Sequence, residues 1–69
     1  MLEKYLKKYR FKNNLSQHQM ARRLQTSQTY YCLIETGKKK PGHTMVRRIA
    51  ETIGVSEAYI IRLAYEDNK

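Results

Sequence analysis

The chain has one cysteine, Cys32, and two histidines, His18 and His43. An internal disulfide is therefore excluded, and two separated imidazoles with one thiol match no zinc-ligand spacing, so neither a metal nor another cofactor is expected. Glycine and proline are scarce. Gly37, Pro41 and Gly42 fall in one stretch, residues 37–43, the only segment with turn composition. Strand signals are missing, with no period-2 alternation and no Asn-Gly or Asp-Gly turn. No apolar run is long enough for a signal peptide or a membrane span: the most hydrophobic, Ala58 to Tyr65, is interrupted by Arg62. A cytoplasmic protein is expected, and a lone thiol suits that reducing compartment. There is no nucleophile–base pair, no paired carboxylates in a pocket and no Gly-rich phosphate loop, and 69 residues leave little room for an active site. Enzymatic activity is not expected.

Acidic residues are also few, six against fourteen bases, for a net charge of +8. Such a field attracts polyanions, nucleic acid first and an acidic membrane surface second. Its distribution is uneven. Residues 1–23 set Lys4, Lys7, Lys8, Arg10, Lys12, Arg22 and Arg23 against Glu3, and residues 24–43 set Lys38, Lys39 and Lys40 against Glu35. From residue 44 onward bases and acids cancel. One end of the chain suits a polyanion, while the other is free to contact a second subunit.

At this length one domain, residues 1–69, is expected, with a core contributing no more than about 3–5 kcal/mol. Economical helix packing or a partner subunit should supplement it. Apolar spacing predicts five short helices. Leu2, Tyr5, Leu6 and Tyr9 follow the i, i+3, i+4, i+7 rule, giving an amphipathic first helix with lysine on its opposite face, ending near Asn13-Asn14. Ser16 and Gln19 form a capping box before the buried stripe Met20, Ala21 and Leu24. Only Gln25-Thr26 then precedes Ser27, a second N-cap, ahead of a helix whose inner face is Tyr31 and Ile34 and whose left-handed stop is Gly37. A fourth helix is predicted from about Thr44, striped by Val46, Ile49, Ala50 and Ile53 and closed by Gly54. Ser56 caps a fifth, about 56–66, with two apolar faces: Ile60, Leu63 and Ala64 on one, Ala58, Ile61 and Tyr65 on the other. The second face exceeds what one internal core requires. It is the expected dimer contact.

Two short helices joined by a tight turn, about residues 16–36, form the helix–turn–helix arrangement that enters a DNA major groove. With Tyr31 and Ile34 used for packing, the outward face of the third helix carries Gln28, Thr29, Cys32 and Leu33. Gln can bond adenine through two atoms, and Thr can bond a base or touch a thymine methyl. The helix N-termini at Ser16-Gln17 and Ser27-Gln28 aim free N–H groups at anions. For Arg22 and Arg23, solvation and phosphate contact weigh equally.

Leu15-Ser16-Gln17, Met20-Ala21, Leu24, Ser27, Ile34-Glu35, Gly37, Pro41, Ile49-Ala50 and Ile53-Gly54-Val55-Ser56 together resemble the phage repressor and Cro-like (XRE-type) helix–turn–helix family, over roughly residues 2–61. The resemblance implies an all-α, five-helix, lambda-repressor-like domain, usually dimeric on a palindromic operator. It implies that Gln17 grips phosphate and supports the recognition helix, that Gln28 and Thr29 read bases, and that Leu33 is a third reading position. It also implies that Thr36, Lys38 and Lys40, with their neighbour Lys39, hold the backbone, and that Arg10 and Glu35 form a partly buried ion bridge. Departures are visible. Gln25 stands where the family commonly has Gly, His43 replaces an apolar residue, and Leu33 replaces an often polar one, favouring a thymine methyl. Tyr31 takes a core slot that is normally aliphatic, leaving Tyr30 to cover the edge or bond a phosphate.

The expected function is a sequence-specific regulator of double-stranded DNA, a dimeric repressor. Two alternatives stand beside it: an antitoxin or anti-repressor-type module that uses the fold to bind protein, and a nonspecific nucleic-acid binder. A bundle with only a solvated charged face, and an oxidation-sensing Cys32, are the weaker readings.

Overall fold

The computed structural model describes residues 2–65, and three of its helices begin where a serine hydroxyl accepts from a free N–H of the first turn. Among these residues there are five helices and no strand: α1 (Leu2–Lys12), α2 (Gln17–Arg23), α3 (Gln28–Glu35), α4 (His43–Ile53) and α5 (Glu57–Tyr65). Residue 66, where the sequence places the end of the fifth helix, lies outside the described residues. At α2 the Gln19 N–H donates to Ser16 Oγ at 3.1 Å and the Ser16 N–H donates to Gln19 Oε1 at 2.8 Å, a complete capping box. The Tyr30 N–H donates to Ser27 Oγ at α3, and the Tyr59 N–H to Ser56 Oγ at α5.

The start of α4 differs by one residue from the expected Thr44. Gly42, extended at φ −77°, is the N-cap and makes no side-chain cap bond, so His43 is the first helical residue. No capping side chain marks this boundary, and the hydroxyl of Thr44 lies one turn position too late to do so.

α2 packs on α3, α4 packs on α5, and α1 lies across both α3 and α5. Leu6, Met20, Leu24, Tyr31, Ile49 and Ile60 are completely buried where these layers meet. Each such aliphatic side chain removed from water is worth about 1.5–3 kcal/mol. The inward stripe of α1 is Leu2, Leu6 and Arg10, four residues apart, so its last buried member is a charge.

The α2–α3 connection is closed by Gln25 in the left-handed region at φ 58°. A non-glycine residue there costs roughly 1–2 kcal/mol. At the other end of α3, Gly37 has φ 80°, and the carboxylate of Glu3 fills the space that a Cβ at this position would need. That approach lays the start of α1 against the end of α3.

Candidate nucleic-acid interface

α3 presents Gln28, Thr29, Cys32 and Leu33 around one shallow depression. Gln28 and Thr29 are exposed, Cys32 and Leu33 half-buried. The geometry follows from the helical repeat, because Tyr31 and Ile34 turn into the core and leave the opposite arc to solvent. The Ser27 hydroxyl is engaged as the N-cap of this helix. Its first N–H groups, at Gln28 and Thr29, have no partner within the helix and point along its axis past Ser27.

Around this arc lies the basic loop after α3. The Lys38 and Lys39 N–H groups both donate to Leu33 O, at 2.9 and 3.1 Å, which folds the loop back over the helix end. The Lys39 ammonium lies 5.9 Å from the centre of the half-buried Tyr30 ring. The Thr36 hydroxyl donates to Cys32 O at 2.8 Å and caps its own helix. Lys40, although it belongs to the same run, turns toward α5: its Nζ donates to Ala64 O at 2.6 Å and sits 5.4 Å from the Tyr65 ring centre. The Tyr65 hydroxyl in turn donates to Pro41 O at 2.6 Å, so this pair fastens the loop to the C-terminus of α5.

Beneath α3 lies a buried polar network. Arg10 approaches Glu35 through two atoms, Nε to Oε2 at 2.8 Å and Nη2 to Oε1 at 3.1 Å, and its Nη1 donates to Leu15 O at 3.0 Å. Gln17 Nε2 donates to Glu35 Oε1 at 2.9 Å and the Tyr31 hydroxyl to Glu35 Oε2 at 2.7 Å. Each carboxylate oxygen therefore accepts two hydrogen bonds, and the Glu35 side chain is 1% exposed. Burial pushes the Glu35 carboxyl up, but the hydrogen bonds from Arg10, Gln17 and Tyr31, with the Arg10 charge, outweigh it and hold the group below its ordinary range. Burial and then the bond to Glu35 push the Tyr31 hydroxyl well above its ordinary value. The Arg10 guanidinium is raised, chiefly by its hydrogen bond to Glu35. With these four side chains α1, α2 and α3 meet on one anion, which fixes the tilt of α3.

Two contributors escape a reading of the sequence. The Tyr31 hydroxyl is one, although Tyr31 and Glu35 stand at i, i+4 and share a face, a signal that was available. Arg48 is the other: its Nη1 donates to Gln25 O at 3.0 Å and to Leu24 O at 3.3 Å, holding the turn between α2 and α3 from α4. On an amphipathic helix such an arginine reads as solvent-facing, and its acceptors exist only once Gln25 turns left-handed. Arg48→Ala should lower stability by about 1 kcal/mol, the value of one partly exposed hydrogen bond, and a domain of this size then melts about 4–8 °C lower. An unchanged melting temperature would remove Arg48 from this role.

The remaining residues are scattered. His18 and His43 are exposed on different helices, and no cluster of three metal-ligating side chains exists among the described residues. Arg22 and Arg23 are exposed in the last turn of α2. No helix among the described residues is long and apolar enough to cross a membrane. On α5, Ile60 and Ala64 are buried, whereas Ala58, Ile61 and Tyr65 face outward, Ile61 at 38% and Tyr65 at 48% exposure.

Residues 4–66 match the family described as Helix-turn-helix domain. The chain is also similar to an uncharacterized HTH-type transcriptional regulator of Bacillus subtilis strain 168, YqaF, with 35% identity over 54 residues that cover 78% of this chain and 71% of that protein. No solved structure matches the chain. A match over nearly the whole sequence, joined to a short α2–α3 turn and an outward polar arc on α3, means that this chain belongs to the XRE-type helix–turn–helix regulator family.

Proposed function

We propose that this protein is a transcriptional regulator that binds double-stranded DNA in a sequence-specific manner, as a homodimeric repressor of a palindromic operator. The observation that carries the proposal is the reading arc: exposed amide and hydroxyl groups on a helix held by the buried Glu35 network, bordered by the Lys38–Lys39 loop. Gln28 bonds an adenine edge through two atoms, Thr29 bonds a base or meets a thymine methyl, and Leu33 supplies a further apolar contact of that kind, with Cys32 between them. Ser16, Gln17, Ser27, Tyr30, Lys38 and Lys39 serve the phosphate backbone, and Thr36 joins them by turning its hydroxyl from Cys32 O to a phosphate oxygen. Lys40, held on Ala64 O, adds its charge to the same field from behind. Two copies joined through Ala58, Ile61 and Tyr65 would place their α3 helices in successive major grooves, about 34–36 Å apart. Occupying the operator excludes other proteins from it, which is repression.

Selection of duplexes from a random pool tests this reading. The expected outcome is a consensus with two half-sites centred roughly 10 base pairs apart, from which Gln28→Ala removes about 1–3 kcal/mol of discrimination at one adenine. Equal affinity for random and selected duplexes would instead mark a nonspecific binder. Absence of salt-dependent DNA binding would mark a module that recognises protein, since phosphate contacts impose a steep salt slope.

A further inference from the structure

Much of the positive charge has no place in the interface just described. Lys4, Lys7, Lys8 and Lys12 are exposed on α1, and none of them lines the reading arc. Two of them, Lys8 and Lys12, stand at i, i+4 along one edge of a groove of about 550 Å³ between α1 and the α4–α5 turn. Its interior is mostly apolar. It is lined by Tyr5 and Tyr9 of α1, by Ile53 and Val55, and by Tyr59 of α5. Among the described residues no acidic side chain lines it, and none from α2 or α3 contributes to it.

We propose that this groove docks an acidic peptide segment of a partner protein, with an aliphatic side chain seated among the tyrosines and carboxylates paired to Lys8 and Lys12. Charge complementarity names the sign of the occupant, and the aromatic lining names its anchor, since tyrosines with apolar neighbours dominate protein–protein contacts. Nucleic acid fits less well. Tyr5 and Tyr59 pack edge to face, 5.5 Å between centres at 75°, so Tyr5 does not offer a free flat face for base stacking, and the side chains of Ile53 and Val55 offer a phosphate no hydrogen bond. A small molecule is also disfavoured, because the groove lies open beside the exposed Tyr59, Lys8 and Lys12, whereas ligand pockets enclose most of the ligand surface. Because the lining is separate from α2 and α3, the partner and DNA can be held together.

The test uses the whole chain and a synthetic amphipathic peptide of about four helical turns, with Leu at i, i+4 and i+7 and Glu on the flanks. Its titration, followed by amide chemical shifts, should move Tyr5, Lys8, Lys12, Val55 and Tyr59 and spare Gln28 and Thr29. Lys8→Gln with Lys12→Gln should weaken the peptide about tenfold while leaving the salt slope of duplex binding unchanged, and a Lys-for-Glu peptide should not bind. Tyr59→Ala should weaken the peptide with the lysines intact. The proposal is overturned by three results: no saturable binding, shifts centred on Gln28 and Thr29 (the peptide then merely imitates DNA), or a reduced salt slope in the double lysine variant (the lysines then hold phosphate).

Discussion

Glu35→Ala is expected to leave the chain largely unfolded at room temperature. Removing one member of a buried ion pair typically costs about 3–5 kcal/mol, because the remaining charge is left without a partner. Here the deletion strands Arg10 and also strips the Gln17 amide and the Tyr31 hydroxyl of their acceptor. A domain this short has a total stability of about the same size, 3–5 kcal/mol. Thermal or urea unfolding followed by helical circular dichroism decides the matter, and a cooperative transition at the wild-type midpoint would disprove the assignment. The same network sets a pH dependence. Glu35 titrates in the folded state below its unfolded value of about 4.3, so its contribution is complete above that pH and is lost as pH falls through the lower, folded value. Tyr31 acts at the other extreme. Its hydroxyl is raised, so its contribution is complete below the unfolded value of about 10 and fades as pH rises beyond it. In Glu35→Gln the acid limb should be lost, whereas the alkaline limb, which rests first on the burial of Tyr31, should only be reduced.

Ile61→Asp should separate the proposed dimer without unfolding the subunit. Ile61 is 38% exposed, so a carboxylate there stays in water in the monomer, whereas in a twofold contact two of them would be desolvated against each other. Loss of the second subunit converts an intramolecular second half-site contact into an independent one, and operator affinity should fall by about 10²–10⁴-fold. Sedimentation and titration of the selected operator measure the two effects. If neither changes, the α5 face is not the dimer contact.

Much of the architecture was legible from side-chain spacing and capping chemistry. Ser16-Gln19, Ser27 and Ser56 each name a helix start because a hydroxyl or amide closes free N–H groups there, whereas Gly42 makes no such bond, and α4 begins at His43, one residue before the expected Thr44. The outward arc of α3 was legible because Tyr31 and Ile34, joined by Glu35, bury one side of a short helix and leave the other to solvent. What stayed hidden depends on where flexible side chains end. Lys38, Lys39 and Lys40 are equivalent in sequence, yet Lys40 reaches Ala64 O because the loop bends at Lys38 and Lys39 and the Tyr65 hydroxyl holds Pro41 O beside the α5 terminus. The α1–α5 groove is equally invisible: its walls come from segments more than forty residues apart, and each tyrosine alone reads as core.

Arg10, Gln17 and Tyr31 converge on Glu35, and Arg48 holds the carbonyls of Leu24 and Gln25, so the direction of α3 is decided by contacts that involve no other molecule. The reading helix is therefore preorganised. Association then carries no entropy charge for ordering α3, and the free energy of its contacts goes instead into residence time and discrimination between sites. Rigidity of this kind also makes mismatches expensive: a helix that cannot tilt cannot rescue a wrong base by shifting toward it.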